Sequence, residues 1–124
     1  MDISRFEMGP RFSEMTVVDF GQGKLIYLAG QVAEDPSLDI TGQTRQVLGF
    51  IDRLLAQAGA DKTHIVQARI YLGSVGDYVA MNSVWDDWVD PAHTPARATV
   101  GAKLINREYK VEIECVAALP KAGA

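Results

Sequence analysis

Among the side chains of this chain that could do chemistry, one arginine and two carboxylates stand in the most informative pattern. Arg97 lies in Pro95-Ala96-Arg97-Ala98-Thr99-Val100, and Glu112 and Glu114 lie in Val111-Glu112-Ile113-Glu114, with a polar turn between the two stretches. A guanidinium can hold a planar carboxylate through two parallel hydrogen bonds, and a fixed carboxylate can take up or deliver a proton. Both stretches alternate like strands, whose side chains change face at every residue. Arg97, Thr99, Gly101 and Lys103 would share one face of the first strand, with Ala98, Val100, Ala102 and Leu104 on the apolar face. In the second, Glu112 and Glu114 share a face while Val111, Ile113, Cys115 and Ala117 pack inward. The same pattern fits charges that simply face water from a half-covered sheet. Spacing alone leaves both readings open.

The remaining candidates carry less. His64 and His93 have no spacing that pairs them with cysteine or acidic residues as metal ligands, so no metal is expected. Cys115 falls on the inward face of its strand, where an inert buried thiol is the ordinary outcome. Asp86 and Asp87 are adjacent on a helix and point in different directions. Trp85 and Trp88 read as core or interface aromatics.

Composition narrows the function classes. A chain of 124 residues fits one domain, 1–124, and 48% apolar with 23% charged residues is the balance of a folded globule. A net charge of -4 with no clustered basic face argues against a nucleic-acid partner. No basic segment followed by an apolar core opens the chain, and no apolar run matches a bilayer, so a cytoplasmic protein without membrane contact is expected. One cysteine cannot form an internal disulfide, which agrees with that compartment.

The elements that must carry these residues alternate between sheet and helix. Met15–Val18 and Lys24–Ala29 read as strands joined through Gly21-Gln22-Gly23, and a weaker strand is suggested near Ile3–Met8. Asp35-Pro36-Ser37 is turn chemistry. A helix follows over about 41–58, with Val47, Leu48, Ile51, Leu54 and Leu55 at helical spacing, Thr41 as its cap and Gly59 as its stop. His64–Leu72 is the next strand. A second helix starts near Ser74, where Ser74 and Asp77 have capping-box spacing, and ends before Pro91, with Tyr78, Met81, Trp85 and Trp88 as its buried stripe. The order predicts an α+β fold, a mixed sheet with two helices on one face. Such a fold leaves the other sheet face bare, so further copies of the chain are expected to cover it.

These residues also resemble a known family. Ala29-Gly30-Gln31, Asn82, Pro95-Ala96-Arg97 and Val111-Glu112-Ile113-Glu114 together resemble the RidA (YjgF) family of reactive-intermediate deaminases, over roughly Phe12 to Ala118. Asp77-Tyr78-Val79-Ala80-Met81-Asn82, Trp85-Asp86-Asp87-Trp88-Val89 and Tyr109-Lys110-Val111 are similar to its YoaB-like branch. The resemblance implies a chorismate-mutase-like fold, a homotrimer packed as a barrel of sheets, and sites at the subunit interfaces. It implies cofactor-free hydrolysis of 2-imino or 2-enamino acids, such as 2-aminoacrylate, to 2-keto acids and ammonia. Within it Arg97 would anchor the substrate carboxylate and Glu112 would position water, with Gly30, Thr99, Phe12 and Asn82 as further lining. Phe12 stands where many relatives carry tyrosine, Ala29 where many carry serine, and Thr99 where many carry cysteine. Those changes imply a different substrate side chain or weaker hydrolysis. The alternative is a non-catalytic trimer that binds small carboxylates in a regulatory or chaperone-like role.

Overall fold

The computed structural model describes residues 1–122. Its strands are β1 (Asp2–Met8), β2 (Ser13–Asp19), β3 (Gly23–Gln31), β4 (Ile65–Leu72), β5 (Ala96–Gly101) and β6 (Val111–Pro120). Its helices are α1 (Ile40–Gln57) and α2 (Tyr78–Trp88). The weakly marked N-terminal segment is a full strand, paired antiparallel with β2 from Asp2↔Asp19 to Met8↔Ser13. All six strands form one sheet in the order β1-β2-β3-β6-β4-β5. Only β4 and β5 run parallel, because the crossover between them is α2. The architecture is α+β with a mixed sheet, as the element order predicts.

Helix ends differ from the expected chemistry in instructive ways. Asp39, not Thr41, caps α1, its carboxylate accepting from the Gly42 amide at 2.8 Å. Gly59 does stop the helix, at φ +77°. The Ala60 amide donates to the Leu55 carbonyl and the Gly59 amide to that of Ala56, the pairing of a Schellman end. Ser74 caps a single 3-10 turn at Val75–Asp77 rather than α2 itself, and Asp77 makes no capping hydrogen bond. Helix α2 therefore begins one turn later than expected. Its buried side is Met81, Val84 and Trp85, while Tyr78 stands half exposed at its rim.

The core fills the space between the helices and one sheet face. Val47, Leu48, Ile51, Leu54 and Leu55 of α1 meet Met15, Ile26, Ile70 and Ile113 of the strands, all buried. The Trp88 indole donates to Asp52 at 3.0 Å and ties α2 to α1. One polar residue sits inside this packing. Gln43 is fully buried; its amide nitrogen donates to the carbonyls of Pro36, Leu38 and Glu108, and its oxygen accepts from the Lys110 amide at 2.9 Å. A buried amide is tolerated when its hydrogen bonds are satisfied, as they are here. It fixes the chain entering β6 and hence the start of the strand that carries Glu112.

Candidate functional site

Strand parity decides where each charged side chain emerges. Arg97 pairs with Ala68 and Thr99 with Ile70, and both β4 partners are fully buried on the helix side of the sheet. Arg97 and Thr99 thus lie on the helix-covered face, while Ala98 and Val100 are exposed on the other. This inverts the expectation for β5, whose apolar residues were to pack inward. The reason is the neighbour. Trp85 of α2 offers a buried indole, and the Arg97 guanidinium lies over it at 5.2 Å from the ring centroid. A weakly hydrated planar cation gains more there than alanine or valine would. For β6 the expectation holds: Val111, Ile113, Cys115 and Ala117 are buried, and Glu112 and Glu114 occupy the open face.

Within one chain, then, Arg97 and Glu112 emerge from opposite faces of the sheet, with β4 between their strands. Each gathers its own surroundings. Around Arg97, its Nη2 donates to the Tyr78 hydroxyl at 3.4 Å. The phenol is shifted toward easier ionisation, first by a hydrogen bond from Asn82 and then by the charge of Arg97. Asn82 Oδ1 and Thr99 Oγ1 are both buried here without a hydrogen-bond partner among the described residues. A hollow of about 260 Å³ adjoins them, walled by Leu72, Val75, Tyr78, Thr99, Val100 and Gly101. The structure so brings together Arg97, Thr99 and Asn82 from the expected set. Tyr78 joins them, although its helical spacing reads as core.

Around Glu112 the setting is different. The carboxylate lies directly over Gly30, where a β-carbon would come within 2.8 Å of Glu112 Cδ. Gly30 lies within an irregularity in β3, between Leu28 and Gln31, which the Gln31 amide braces by donating to the Ala29 carbonyl at 3.0 Å. Burial, and secondarily the charge of Glu114, push the Glu112 carboxyl above its ordinary range. Phe12 stands exposed in the β1–β2 turn and shares a hollow of about 480 Å³ with Gly30, Glu14, Gln31, Glu34 and Arg53. Gly30 thus belongs with Glu112, and Phe12 with the hollow beside Gly30, not with Arg97.

Glu114 is already engaged. It accepts from Tyr71 at 2.6 Å and from Arg69 at 3.2 Å, and its bond with Tyr71, aided by desolvation, holds that phenol above its usual range against the opposing charge of Arg69. Their signal in the sequence is Arg69 and Tyr71 alternating with the buried Ala68 and Ile70. The other titratable candidates are structural. Cys115 is buried and its thiol is pushed up to about 12, chiefly by burial. His64 accepts from the Asp61 amide, and His93 pairs with Asp90 at 3.1 Å, each within a local turn. Among the described residues no three His, Cys, Asp or Glu side chains are grouped to hold a metal ion, and no helix is long and apolar enough to cross a membrane.

Comparison with known proteins gives this geometry a family. The model described as Endoribonuclease L-PSP matches residues 4–119. A RutC family protein of Haemophilus ducreyi is 43% identical over 94% of this chain and 97% of its own length. The RutC family protein YoaB of Escherichia coli K12 is 39% identical over 96% of this chain and its own full length. The crystal structure of NMB1025 from Neisseria meningitidis, described as a member of the YjgF protein family, superposes with a TM-score of 0.91 at 46% identity, covering 98% of both chains. The chain belongs to the endoribonuclease L-PSP family, the family of the YjgF, RidA and RutC proteins.

Proposed function

We propose that the protein hydrolyses reactive 2-imino and 2-enamino acids to 2-keto acids and ammonia, as a homotrimer whose sites each combine two copies of the chain. The observation that carries the reading is the separation of Arg97 and Glu112 onto opposite sheet faces. A cation over an indole has no carboxylate partner among the described residues. A carboxylate of raised proton affinity lies over a glycine on the uncovered face. A neighbouring copy that covers the open face can bring its β5 edge to that carboxylate. Exposed Tyr27, Val66 and Val100 on this face support such cover, since apolar side chains gain by leaving water.

The chemistry then divides between the copies. Arg97 binds the substrate carboxylate and sets the α-carbon at a fixed distance. An enamine such as 2-aminoacrylate takes a proton at its terminal carbon and becomes the imine. Glu112 orients a water molecule and accepts its proton as the oxygen adds to the imine carbon. Proton transfer to nitrogen and collapse of the adduct release ammonia and leave the 2-keto acid. A carboxylate whose proton affinity is raised exchanges protons more readily near neutral pH, and such a group contributes about 10²–10⁴-fold. No metal or redox group is needed for these steps.

A binding role without turnover is favoured by one observation: Phe12 presents an exposed ring with no hydroxyl beside Gly30. The ribonuclease activity in the family's description is not carried over. A net charge of -4 opposes approach of a phosphate backbone. The deciding assay follows imino acids generated by an amino-acid oxidase, across several side chains, with and without protein. Faster imine loss, reduced about 100-fold or more in kcat/KM by Arg97→Ala, is expected from the loss of the charged contact to the substrate carboxylate. No acceleration by the wild type, with small carboxylates still bound, would establish the binding role instead.

A further inference from the structure

We propose that Tyr78 is a carboxylate-binding residue, whose phenolic O–H grips the second oxygen of the anion that Arg97 holds by the first. The inference rests on the reading of Arg97 as a carboxylate anchor and adds a residue to that anchor.

The argument starts from which atoms around the phenol donate. Arg97 Nη2 donates to the Tyr78 oxygen at 3.4 Å. A phenol oxygen that accepts from the guanidinium keeps its own proton for another acceptor, because one O–H can donate once. Among the described residues no hydrogen bond uses that proton. Tyr78 is 45% exposed, at the first residue of α2, so its hydroxyl is open to a ligand approaching Arg97.

The guanidinium is oriented as well as charged. Its central carbon lies 5.2 Å from the centroid of the Trp85 indole, and its Nη2 reaches the Tyr78 oxygen. A carboxylate arriving there meets one N–H donor and one O–H donor side by side, the arrangement that suits two oxygens of one anion. The aliphatic hollow alongside, walled by Leu72, Val75 and Val100, offers the rest of the ligand no competing cation. In the other half of the site the aromatic is Phe12, which has no hydroxyl to give. Tyr78 supplies one from the side that holds the anion.

The groups that face the phenol set its pH behaviour. Asn82 and Arg97 ease its ionisation, and Asp86 on the same helix opposes it. Once ionised, the phenolate has no proton to donate and repels a carboxylate. Affinity for the anion is thus expected to fall with rising pH earlier than an ordinary tyrosine would cause.

The test is calorimetric titration of pyruvate, a 2-keto acid, into wild type, Tyr78→Phe and Arg97→Ala, repeated from neutral to alkaline pH. Tyr78→Phe keeps the ring and the packing of α2, which circular dichroism and the melting temperature check. The expected result is a Kd raised about tenfold at neutral pH, the ordinary effect of losing one hydrogen bond to a charged group. The wild type should also weaken at alkaline pH while Tyr78→Phe stays flat over the same range. Equal affinity of wild type and Tyr78→Phe, or no pyruvate binding by the wild type, overturns the inference. Imine turnover is read separately, so a wild type that binds pyruvate through Tyr78 yet hydrolyses nothing would sink the deaminase reading and leave this one standing.

Discussion

The Arg97 and Glu112 regions are built on opposite principles. Arg97 is held by packing: a buried indole beneath it, a tyrosine within reach of its Nη2, and two nearby buried oxygens, of Asn82 and Thr99, that lack partners among the described residues. Glu112 is held by proximity to backbone on an uncovered face, over Gly30 and beside a second acid. Its neighbour Glu114 has the same residue type and the same face, yet Arg69 and Tyr71 already occupy it. The comparison teaches that residue identity does not decide which acid is available. What decides it is whether the chain itself satisfies the group.

The contrast can be broken most strongly at Glu112. Glu112→Gln is expected to lower kcat about 10²–10⁴-fold while pyruvate affinity, which depends on the Arg97 side, changes little. Stability should move the other way. The folded Glu112 carboxyl binds its proton more tightly than an unfolded one, so its contribution is present below the unfolded pKa and is lost as pH rises through the folded pKa. Removing the charge should therefore leave the melting temperature at neutral pH equal to or above that of the wild type.

A smaller effect is expected from Gly30→Ala. The added methyl would displace the Glu112 carboxylate, whose Cδ and Cγ would lie at 2.8 and 3.0 Å. Because that side chain can swing toward solvent, the fold should survive while kcat falls about tenfold through misplacement of the carboxylate. Retained turnover in Gly30→Ala would show that Glu112 does not need its present position. The smallest effect is on pH. Activity that needs ionised Glu112 fails as pH falls through its raised pKa. Glu114→Gln removes one of the two causes of that rise, so the acid limb of kcat/KM should move to lower pH. An unmoved limb would mean that a different group sets it.

Much of this arrangement was legible in the sequence where burial is one-sided. Strand β6 alternates large apolar residues with glutamates, and its faces follow directly. Strand β5 offers arginine and threonine against alanine and valine at a sheet edge, where neither face is deeply buried. There the apolar rule gives the wrong answer, because the deciding partner is an indole 12 residues earlier on α2. Tyr78 was hidden for a similar reason. Its spacing matches Met81 and Trp85, but a 3-10 turn delays the helix and leaves it at the rim. Gln43 carries no sequence signal at all, since a buried glutamine looks the same as an exposed one until its four partners, two from the turn just before α1 and two from the distant segment leading into β6, arrive.

The placement of Arg97 and Glu112 on opposite faces also has a genetic consequence. If every site takes its cation from one copy and its acid from the next, two inactive alleles can rescue each other. On that reading, an oligomer mixing Arg97→Ala chains with Glu112→Ala chains would contain interfaces where an intact arginine meets an intact glutamate. With equal, random mixing those interfaces make up about a quarter of the total, since each of the two positions is filled correctly half the time in a closed ring. Loss of function in this protein would then belong to pairs of neighbouring chains, and the dominance of an allele would depend on which half of the site it removes.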